Sequence, residues 1–346
     1  MFREFQVFVK PVGARCNLNC NYCYYLEKDF QGAGEGPGVM SPELLERYIT
    51  GHLEASSDQS IIFSWHGGEP TLAGIDFYRK ALEIQKKYQI PGTKIVNGIQ
   101  TNGTLLHMEW CKFLKEEGFA VGISLDGPRV FHDRFRTGKN RHSTFDRVLQ
   151  GYTLLKKYEV PTEVLCVVNA VNVAEPLEIY RFFKELGVKY LTFLPLVERK
   201  QGSFSEVTER SVPSLDFGAF LSAIFDEWVE QDIGAIKIQV FEEATRSAFR
   251  QEHTLCIFKK GAGVSPWLSI TGISTRAITM LIRNTGWETS PGNPWSNCWN
   301  TPDNWHSGMP KRFHCPGSAG SARYWICAMA SVPKTGSSPH QQARPA

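Results

Sequence analysis

Residues 16–23 read CNLNCNYC and follow the first apolar stretch of the chain, residues 5–10. They place Cys16, Cys20 and Cys23 in a C-x3-C-x2-C pattern. A [4Fe–4S] cluster normally takes four cysteine thiolates, so three on a short loop leave one iron free to hold a small molecule. The pattern therefore predicts an iron–sulfur cluster with one open coordination position.

On spacing alone, two other interpretations of these cysteines stay open. Half of a zinc site would need a fourth Cys or a His at metal-ligand spacing, and three thiols can also be unrelated. A cluster with an open iron has a known use, which is the reductive cleavage of S-adenosylmethionine to a 5′-deoxyadenosyl radical. The tyrosines Tyr22 and Tyr24 beside the last cysteine favour that use, because an aromatic ring there can cover both the cluster and an adenine.

The bulk composition limits the class of protein. The chain has 346 residues, a formal net charge of +3 and 21% charged residues. This length predicts one barrel-sized domain and a smaller one, and the balanced charge gives no strong attraction to nucleic acid or a membrane surface. Residues 1–10 lack the apolar core of a signal peptide, and nine cysteines without one favour a reducing compartment. We expect a globular cytoplasmic protein with neither nucleic acid nor membrane as a partner.

Strand-like and helix-like patterns alternate along most of the chain. Apolar or β-branched stretches fall at 5–10, 61–65, 94–100, 120–125, 162–168 and 190–194. Amphipathic stretches with helical spacing fall at 42–53, 77–88, 108–117, 145–158, 174–186 and 217–231. Six such units predict an α/β fold whose parallel sheet curls into a partial (β/α)6 TIM-like barrel. Active residues are then expected at the carboxyl ends of the strands.

Polar or glycine-rich segments follow three of the predicted strands. They read HGGEP at 66–70, QTNG at 100–103 and SLDG at 124–127. Paired glycines leave backbone amides and carbonyls open to a ligand, although an isolated pair is more often only a turn. Because the three segments end different strands at the same edge of the sheet, they predict a ligand site there.

The cysteine pattern and the segment HGGEPT at 66–71 are together similar to those of the radical S-adenosylmethionine enzymes. More narrowly, the chain resembles the anaerobic sulfatase-maturating enzymes over about residues 7–260, with supporting segments KP at 10–11, GTL at 103–105, SLDGP at 124–128 and LCVV at 165–168. The resemblance implies a core barrel of the radical S-adenosylmethionine type over residues 1–240. It also implies the start of an auxiliary-cluster domain over residues 241–260.

The resemblance further implies roles for individual residues. The cluster ligands are Cys16, Cys20 and Cys23, and Cys256 matches a ligand of an auxiliary cluster. The implied contacts to S-adenosylmethionine are Gly67, Gly68 and Glu69 at its amino group, Tyr22 and Val197 at its adenine, and Ser124 and Arg136 at its ribose and carboxylate. Arg129 and Arg134 are rivals for the role of Arg136. The remaining cysteines of the barrel, Cys111 and Cys166, lie in apolar stretches and are expected in the core.

The composition changes abruptly after Lys260. Residues 261–346 contain only nine charged residues, of which Glu288 and Asp303 are acidic, yet they hold six of the nine tryptophans. No helical or strand period continues there for more than a few residues. The family carries two more [4Fe–4S] clusters in this part of the chain, on seven or eight cysteines, whereas Cys298, Cys315 and Cys327 are the cysteines present here. The sequence therefore predicts an irregular C-terminal region.

A shift of the reading frame explains this tail. If the third base of each codon is read with the first two bases of the next, residues 263–281 permit CLPVVEHNGDIYSCDHYV and residues 324–336 permit LDMCHGECPKDR. These are auxiliary-cluster motifs of the family, in the right order and in one frame. We infer a frame slip between about residues 260 and 264. Residues 261–346 are therefore predicted to be an out-of-frame tail, disordered or non-native.

The activity that the resemblance implies is the oxidation of a Cys or Ser in a nascent, unfolded sulfatase polypeptide to formylglycine. Flavodoxin or ferredoxin would supply the electron. In the family an Asp directly after a cluster cysteine is the expected base, and here it exists only in the shifted frame, so no catalytic residue is assigned and the written chain could have lost the activity. Two alternatives stay open: another peptide-modifying radical enzyme with auxiliary clusters, and a non-catalytic iron–sulfur or zinc-binding protein.

Overall fold

The computed structural model of the chain describes residues 7–25, 38–56, 59–200, 206–253, 267–269 and 272–273. Cys256 and the three cysteines of the tail lie outside these ranges. The predicted role of Cys256, and the domain division at residues 240 and 260, therefore stay predictions.

The core of the molecule is a sheet of seven parallel strands that pair in chain order. The strands are β1 Val7–Val9, β2 Ser60–Trp65, β3 Lys94–Thr101, β4 Ala120–Ser124, β5 Thr162–Val168, β6 Tyr190–Pro195 and β7 Lys237–Ile238. Each strand of β1–β6 pairs with the next one in a parallel register, so all their carboxyl ends lie at one edge of the sheet. The sheet does not close on itself. This confirms the predicted α/β fold with a partial barrel.

Helices connect the strands and cover one face of the sheet. They are α1 Pro42–Ala55, α2 Ile75–Tyr88, α3 Met108–Glu116, α4 Arg129–Phe135, α5 Phe145–Lys157, α6 Pro176–Glu185, α7 Ser214–Gln231 and α8 Gln239–Ala248. Short 3-10 helices follow β2 at Pro70–Ala73 and β5 at Asn172–Ala174. The predicted start of α1 is correct: the Ser41 hydroxyl accepts the Leu44 amide at 3.2 Å, and Pro42 takes the first helical position.

Alternating side chains give the sheet two different faces. On the helix-covered face, Phe63, Ile123 and Val164 are fully buried. On the opposite face, Ile62 of β2 is 47% exposed and Leu194 of β6 is 40% exposed, so the inner side of the partial barrel is open. Among the described residues, no helix combines the length and the apolar character that crossing a bilayer requires.

Two further short strands lie in the segment that was predicted to be irregular. β8, Trp267–Ser269, pairs in parallel with β1, and β9, Gly272–Ile273, returns antiparallel to β8. Strands of three and two residues agree with the expectation that no period continues there for more than a few residues. They lie at the outer edge of β1, whose unpaired backbone groups can pair with a short segment rich in aromatic and branched residues.

Candidate functional site

The three cysteines lie on the loop that follows β1, residues 10–25, and this loop is held by backbone contacts to other elements. The Asn19 amide donates to the Thr137 carbonyl at 2.8 Å, and the Asn21 amide donates to the Phe135 carbonyl at 2.8 Å. The loop is thus fixed against the segment that follows α4. Because these bonds are long-range, the loop conformation depends on the assembled barrel.

The sulfur of Cys16 accepts two N–H groups. The Leu18 amide lies 3.4 Å from it, and the side-chain amide of Asn102, at the carboxyl end of β3, lies 3.6 Å from it. Asn102 also donates to the Asn17 side chain at 2.9 Å. Donors aimed at a sulfur favour its thiolate form, which is the form that binds iron.

The paired glycines after β2 support the cysteine loop directly. The Gly68 amide donates to the Gly13 carbonyl at 3.0 Å, and the Glu69 amide donates to the Arg15 carbonyl at 2.9 Å. A Cβ atom added at Gly68 would stand 2.2 Å from the Arg15 carbonyl oxygen and 2.4 Å from that of Ala14. Only glycine permits this close approach of two backbones. The glycine pair is therefore more than a turn.

Glu69 is fully buried, and its carboxylate joins the ends of β2 and β3. One oxygen accepts the Thr71 amide at 3.1 Å, the Thr71 hydroxyl at 2.6 Å and the Thr101 hydroxyl at 2.7 Å. The other oxygen accepts the Asn102 amide at 2.7 Å. Burial raises the pKa of Glu69, and these donors oppose that shift. The carboxylate is engaged within the protein, and its contact with S-adenosylmethionine stays a prediction.

Arg136 lies beside the cysteine loop in a buried ion pair. Its Nε donates to the Asp126 carboxylate at 2.9 Å, and its guanidinium carbon stands 5.4 Å from the centre of the Tyr22 ring. The Tyr22 hydroxyl donates to the same Asp126 oxygen at 2.5 Å. Burial opposes the charge of Arg136, but Asp126, Tyr22 and Cys20 together outweigh it and raise the pKa of the guanidinium.

The two rivals of Arg136 lie elsewhere. Arg129 is half exposed and pairs with Asp146 and Asp133 on the outer side of α4 and α5. Arg134 is exposed to solvent. Of the three arginines, only Arg136 is buried next to the cysteine loop.

Ser124 and Val197 lie at the carboxyl ends of β4 and β6, the two strands that flank β5. The Ser124 hydroxyl, in the last position of β4, accepts the Gln100 side-chain amide at 3.1 Å. Val197, just after β6, is 57% exposed. Both are accessible to a ligand, and their contacts with S-adenosylmethionine stay predictions.

Sequence reasoning missed three residues of this site. Asp126 and Asn102 lie inside quoted segments, SLDG and QTNG, so their position at strand ends was a usable signal. Arg210 had no local signal. Its guanidinium donates to the Asn21 carbonyl at 2.6 Å and forms a two-pronged ion pair with Glu198, next to Val197, at 2.9 and 2.7 Å.

The thiols of the cysteine loop are better suited to binding a cluster than to remaining as free thiolates. Burial raises the pKa of Cys20 to about 12, and burial likewise raises that of Cys16. The three thiolates would also repel one another. A bound cation removes both penalties, since a coordinating thiol is deprotonated outright. In the described ranges, no group of three or more His, Cys, Asp or Glu is arranged for a single metal ion.

Cys111 and Cys166 are buried, with no exposed surface, in α3 and β5. Burial raises the pKa of Cys111 to about 11 and that of Cys166 well above its usual value. Both are thiols of the core, as expected from the sequence.

Comparison with known proteins agrees with this geometry. The family model of the radical SAM superfamily matches residues 11–183. A serine-type anaerobic sulfatase-maturating enzyme of Bacteroides thetaiotaomicron is 41% identical over 279 residues, which cover 77% of this chain and 67% of the relative. A cysteine-type enzyme of Clostridium perfringens is 35% identical over 238 residues, which cover 68% of this chain and 63% of the relative.

Solved structures give the same result. Native anSMEcpe with bound AdoMet matches with a TM-score of 0.70 and 30% identity over 78% of this chain and 73% of that one. The same protein with bound AdoMet and a Cp18Cys peptide matches with a TM-score of 0.65 and 32% identity, over 73% of this chain and 68% of that one.

The chain therefore belongs to the radical S-adenosylmethionine superfamily. Within that superfamily, it belongs with the anaerobic sulfatase-maturating enzymes. It spans about two thirds of the length of the curated relatives it matches.

Proposed function

We propose that this chain carries the core of an oxidoreductase that converts a Cys or Ser of an unfolded sulfatase polypeptide to formylglycine. The observation that carries the proposal is the cysteine loop docked on the glycine pair, with Arg136 buried beside it. The identity to named sulfatase-maturating enzymes supports the substrate class.

Each part of the site has a task in this proposal. When bound, a [4Fe–4S] cluster and S-adenosylmethionine supply a 5′-deoxyadenosyl radical. Cys16, Cys20 and Cys23 hold the cluster, and the backbone carbonyls of Gly67 and Gly68 receive the amino group of S-adenosylmethionine. The half-buried Tyr22 and the exposed Val197 bound the adenine, while Ser124 and Arg136 hold the ribose and the carboxylate.

The oxidation removes two electrons and two hydrogens from the target residue. One hydrogen atom would be taken from Cβ, which is the chemistry that a bound 5′-deoxyadenosyl radical would supply. One electron then leaves for an acceptor and one proton for a base, which gives the aldehyde from Ser. From Cys the same loss gives a thioaldehyde, and water then replaces its sulfur, which leaves as hydrogen sulfide. We assign neither the acceptor nor the base to a described residue, because the family's Asp is encoded only in the shifted frame. Flavodoxin or ferredoxin is the proposed electron donor, and the cytoplasm the proposed location.

The test is anaerobic reconstitution of the full chain with iron and sulfide. We expect the wild-type chain to bind iron and, once reduced, to cleave S-adenosylmethionine to 5′-deoxyadenosine. Cys20→Ala should lose both properties, whereas the matched control Cys111→Ala, which removes a buried core thiol, should retain them. Equal iron binding by the two variants, or no cleavage by the loaded wild type, would contradict the proposal and leave a non-catalytic metal protein.

The substrate is tested with sulfatase peptides that carry either Cys or Ser at the target position. Formation of the aldehyde, seen by mass spectrometry, identifies the preferred residue. If S-adenosylmethionine is cleaved and both peptides stay unmodified, the chain retains the radical chemistry without the maturation step.

A further inference from the structure

A buried carboxylate that no predicted role includes lies at the centre of the site. Asp126 is 0% exposed and accepts hydrogen bonds from three separate parts of the chain. One oxygen accepts the Tyr22 hydroxyl at 2.5 Å and the Arg136 Nε at 2.9 Å, and the other accepts the Val167 amide of β5 at 2.9 Å. We propose that Asp126 is a positioning residue for S-adenosylmethionine, which orients Arg136 and couples it to the cysteine loop. The inference rests on the proposed function, because it takes Arg136 to be the residue that meets the carboxylate of S-adenosylmethionine.

The ion pair fixes the direction of the arginine side chain. A guanidinium is planar and presents its N–H groups in a rigid fork, so a bond at Nε determines where the terminal nitrogens lie. Within the described part of the chain, the acceptor of hydrogen bonds from the Arg136 side chain is the Asp126 carboxylate, which accepts from Nε. The two terminal nitrogens thus remain for a second anion, and a carboxylate matches their spacing.

The backbone of Arg136 is fixed by the same network. Its carbonyl accepts the Thr144 hydroxyl at 2.7 Å, and that hydroxyl stands 3.1 Å from His132 Nε2. The Asp126 amide donates to His132 Nδ1 at 3.3 Å. One tautomer of His132 satisfies both contacts, with Nδ1 accepting and Nε2 donating. These hydrogen bonds form a closed ring that starts and ends at Asp126. The ring fixes both the side chain and the backbone of Arg136.

Tyr22 connects this ring to the cluster ligands. It lies between Cys20 and Cys23, and its hydroxyl reaches Asp126 across 104 positions of sequence. A displacement of Asp126 therefore moves both the arginine and the loop. A carboxylate suits this place better than an amide, because it accepts from all three donors and balances the buried charge of Arg136.

The test uses Asp126→Asn in the anaerobically reconstituted full chain. The readouts are iron content, the electron paramagnetic resonance signal of the reduced cluster, and the Kd for S-adenosylmethionine from equilibrium dialysis. We expect iron content and the signal without S-adenosylmethionine to match wild type, and the Kd to rise by about tenfold, as loss of a charge-assisted hydrogen bond predicts. The change that S-adenosylmethionine causes in the signal should weaken in parallel. Asp146→Asn, which breaks an exposed Asp–Arg pair, is the matched control and should leave the Kd unchanged.

A second variant keeps the test decisive if Asp126→Asn does not hold its cluster. Tyr22→Phe removes one hydrogen bond to Asp126 and should raise the Kd by about threefold at full iron content. A wild-type Kd in either variant at full iron content would overturn the inference while leaving the proposed function intact. If the loaded wild-type chain does not bind S-adenosylmethionine at all, the proposed function fails and the inference falls with it.

Discussion

Glu69 and Asp126 are both fully buried carboxylates, and both lie where a strand of the barrel ends. A charge can stay in a protein interior only when it is paired and hydrogen-bonded. Glu69 meets this condition with donors from two strand ends, and Asp126 meets it with Arg136, Tyr22 and a backbone amide. Each side chain therefore ties together elements that are distant in sequence.

Replacement of Glu69 by Gln is predicted to destabilise the fold. The amide nitrogen of Gln cannot accept, so at least one of the donors from Thr71, Thr101 or Asn102 would be left unpaired inside the protein. We expect the free energy of unfolding to fall by about 2–3 kcal/mol. Urea denaturation would measure this, with the exposed Glu83→Gln as a control; equal stabilities of the two variants would show that the network at Glu69 carries no weight.

His132 is predicted to make the fold sensitive to acid. It is fully buried, and burial lowers its pKa to about 4. Arg136 and Arg129 also lower this pKa, whereas Asp126 and Asp133 raise it. The unfolded chain takes up a proton near pH 6.5 and the folded chain does so only near pH 4. The stabilisation is therefore complete above pH 6.5 and is lost as the pH falls towards 4. Its full size corresponds to about 3 kcal/mol.

Urea denaturation between pH 7 and 4 tests this pH dependence. In His132→Gln the unfolding free energy should be lower at pH 7 and should fall less steeply with acid than in the wild type. His142→Gln, at an exposed position, should follow the wild-type slope. A His132→Gln curve parallel to that of the wild type would contradict the role of this histidine.

Local spacing predicts some of these residues and not others. The cysteines and the glycine pair carry fixed short-range patterns, so they were found from the sequence. The resemblance named Arg136 ahead of Arg129 and Arg134, and the burial of each side chain is what separates the three in the structure, because all lie within eight positions of sequence. Arg210 meets Asn21 across 189 positions, and a contact of that separation leaves no local pattern.

The cysteine loop has no regular structure of its own and takes its shape from the elements around it. Its backbone bonds to the turn after β2 and to the segment after α4, and its side chains reach the ends of β3 and β4. The loop after β6 contributes the contact from Arg210. The site is therefore a property of the assembled barrel and not of the cysteine motif alone.

Gly68→Ala is predicted to prevent this assembly. The added Cβ would overlap backbone atoms of Ala14 and Arg15, and backbone cannot rotate away as a side chain can. We expect a large loss of bound iron after reconstitution. Gly98→Ala in β3 is the matched control, since the nearest atom to its added Cβ is 3.9 Å away. Full iron content in Gly68→Ala would show that the two backbones do not need this close approach.

Arg210→Ala is predicted to loosen two loops together. It removes the bond to the Asn21 carbonyl and the ion pair with Glu198, which are worth about 1 kcal/mol in this half-exposed setting. Amide hydrogen exchange should become faster both in residues 16–25 and in residues 194–200. Arg199→Ala, exposed in the same loop, should leave both rates unchanged. Faster exchange in only one of the two segments would argue against the link.

The strand and helix patterns predicted the elements of the barrel well. Strands β1–β6 and their helices fall within a few residues of the expected bounds, because each buries an apolar face over several turns or alternations. The seven-residue α4 and the two-residue β7 were missed, since so few residues give no period to recognise. The ten-residue α8 was also not among the predicted stretches.

The change of composition after Lys260 is a feature of the molecule as a whole, as is the open inner face of the barrel. If one base has been gained or lost near that codon, resequencing will show it, and the chain with the restored frame should hold about twelve irons against about four for the chain as written. Iron analysis of the two reconstituted proteins measures this difference. Equal iron contents would contradict the frame-slip hypothesis.

The contact between Asn21 and Arg210 also determines the order in which parts of the site can form during synthesis. A ribosome adds about 5–20 residues per second, so Arg210 emerges roughly 10–40 seconds after Asn21, given that 189 positions separate them. During that interval the scaffold around the nascent thiols is incomplete. We therefore expect delivery of the proposed cluster only after most of the barrel has left the ribosome, so the thiols that are synthesised first are among the last residues of the site to be enclosed.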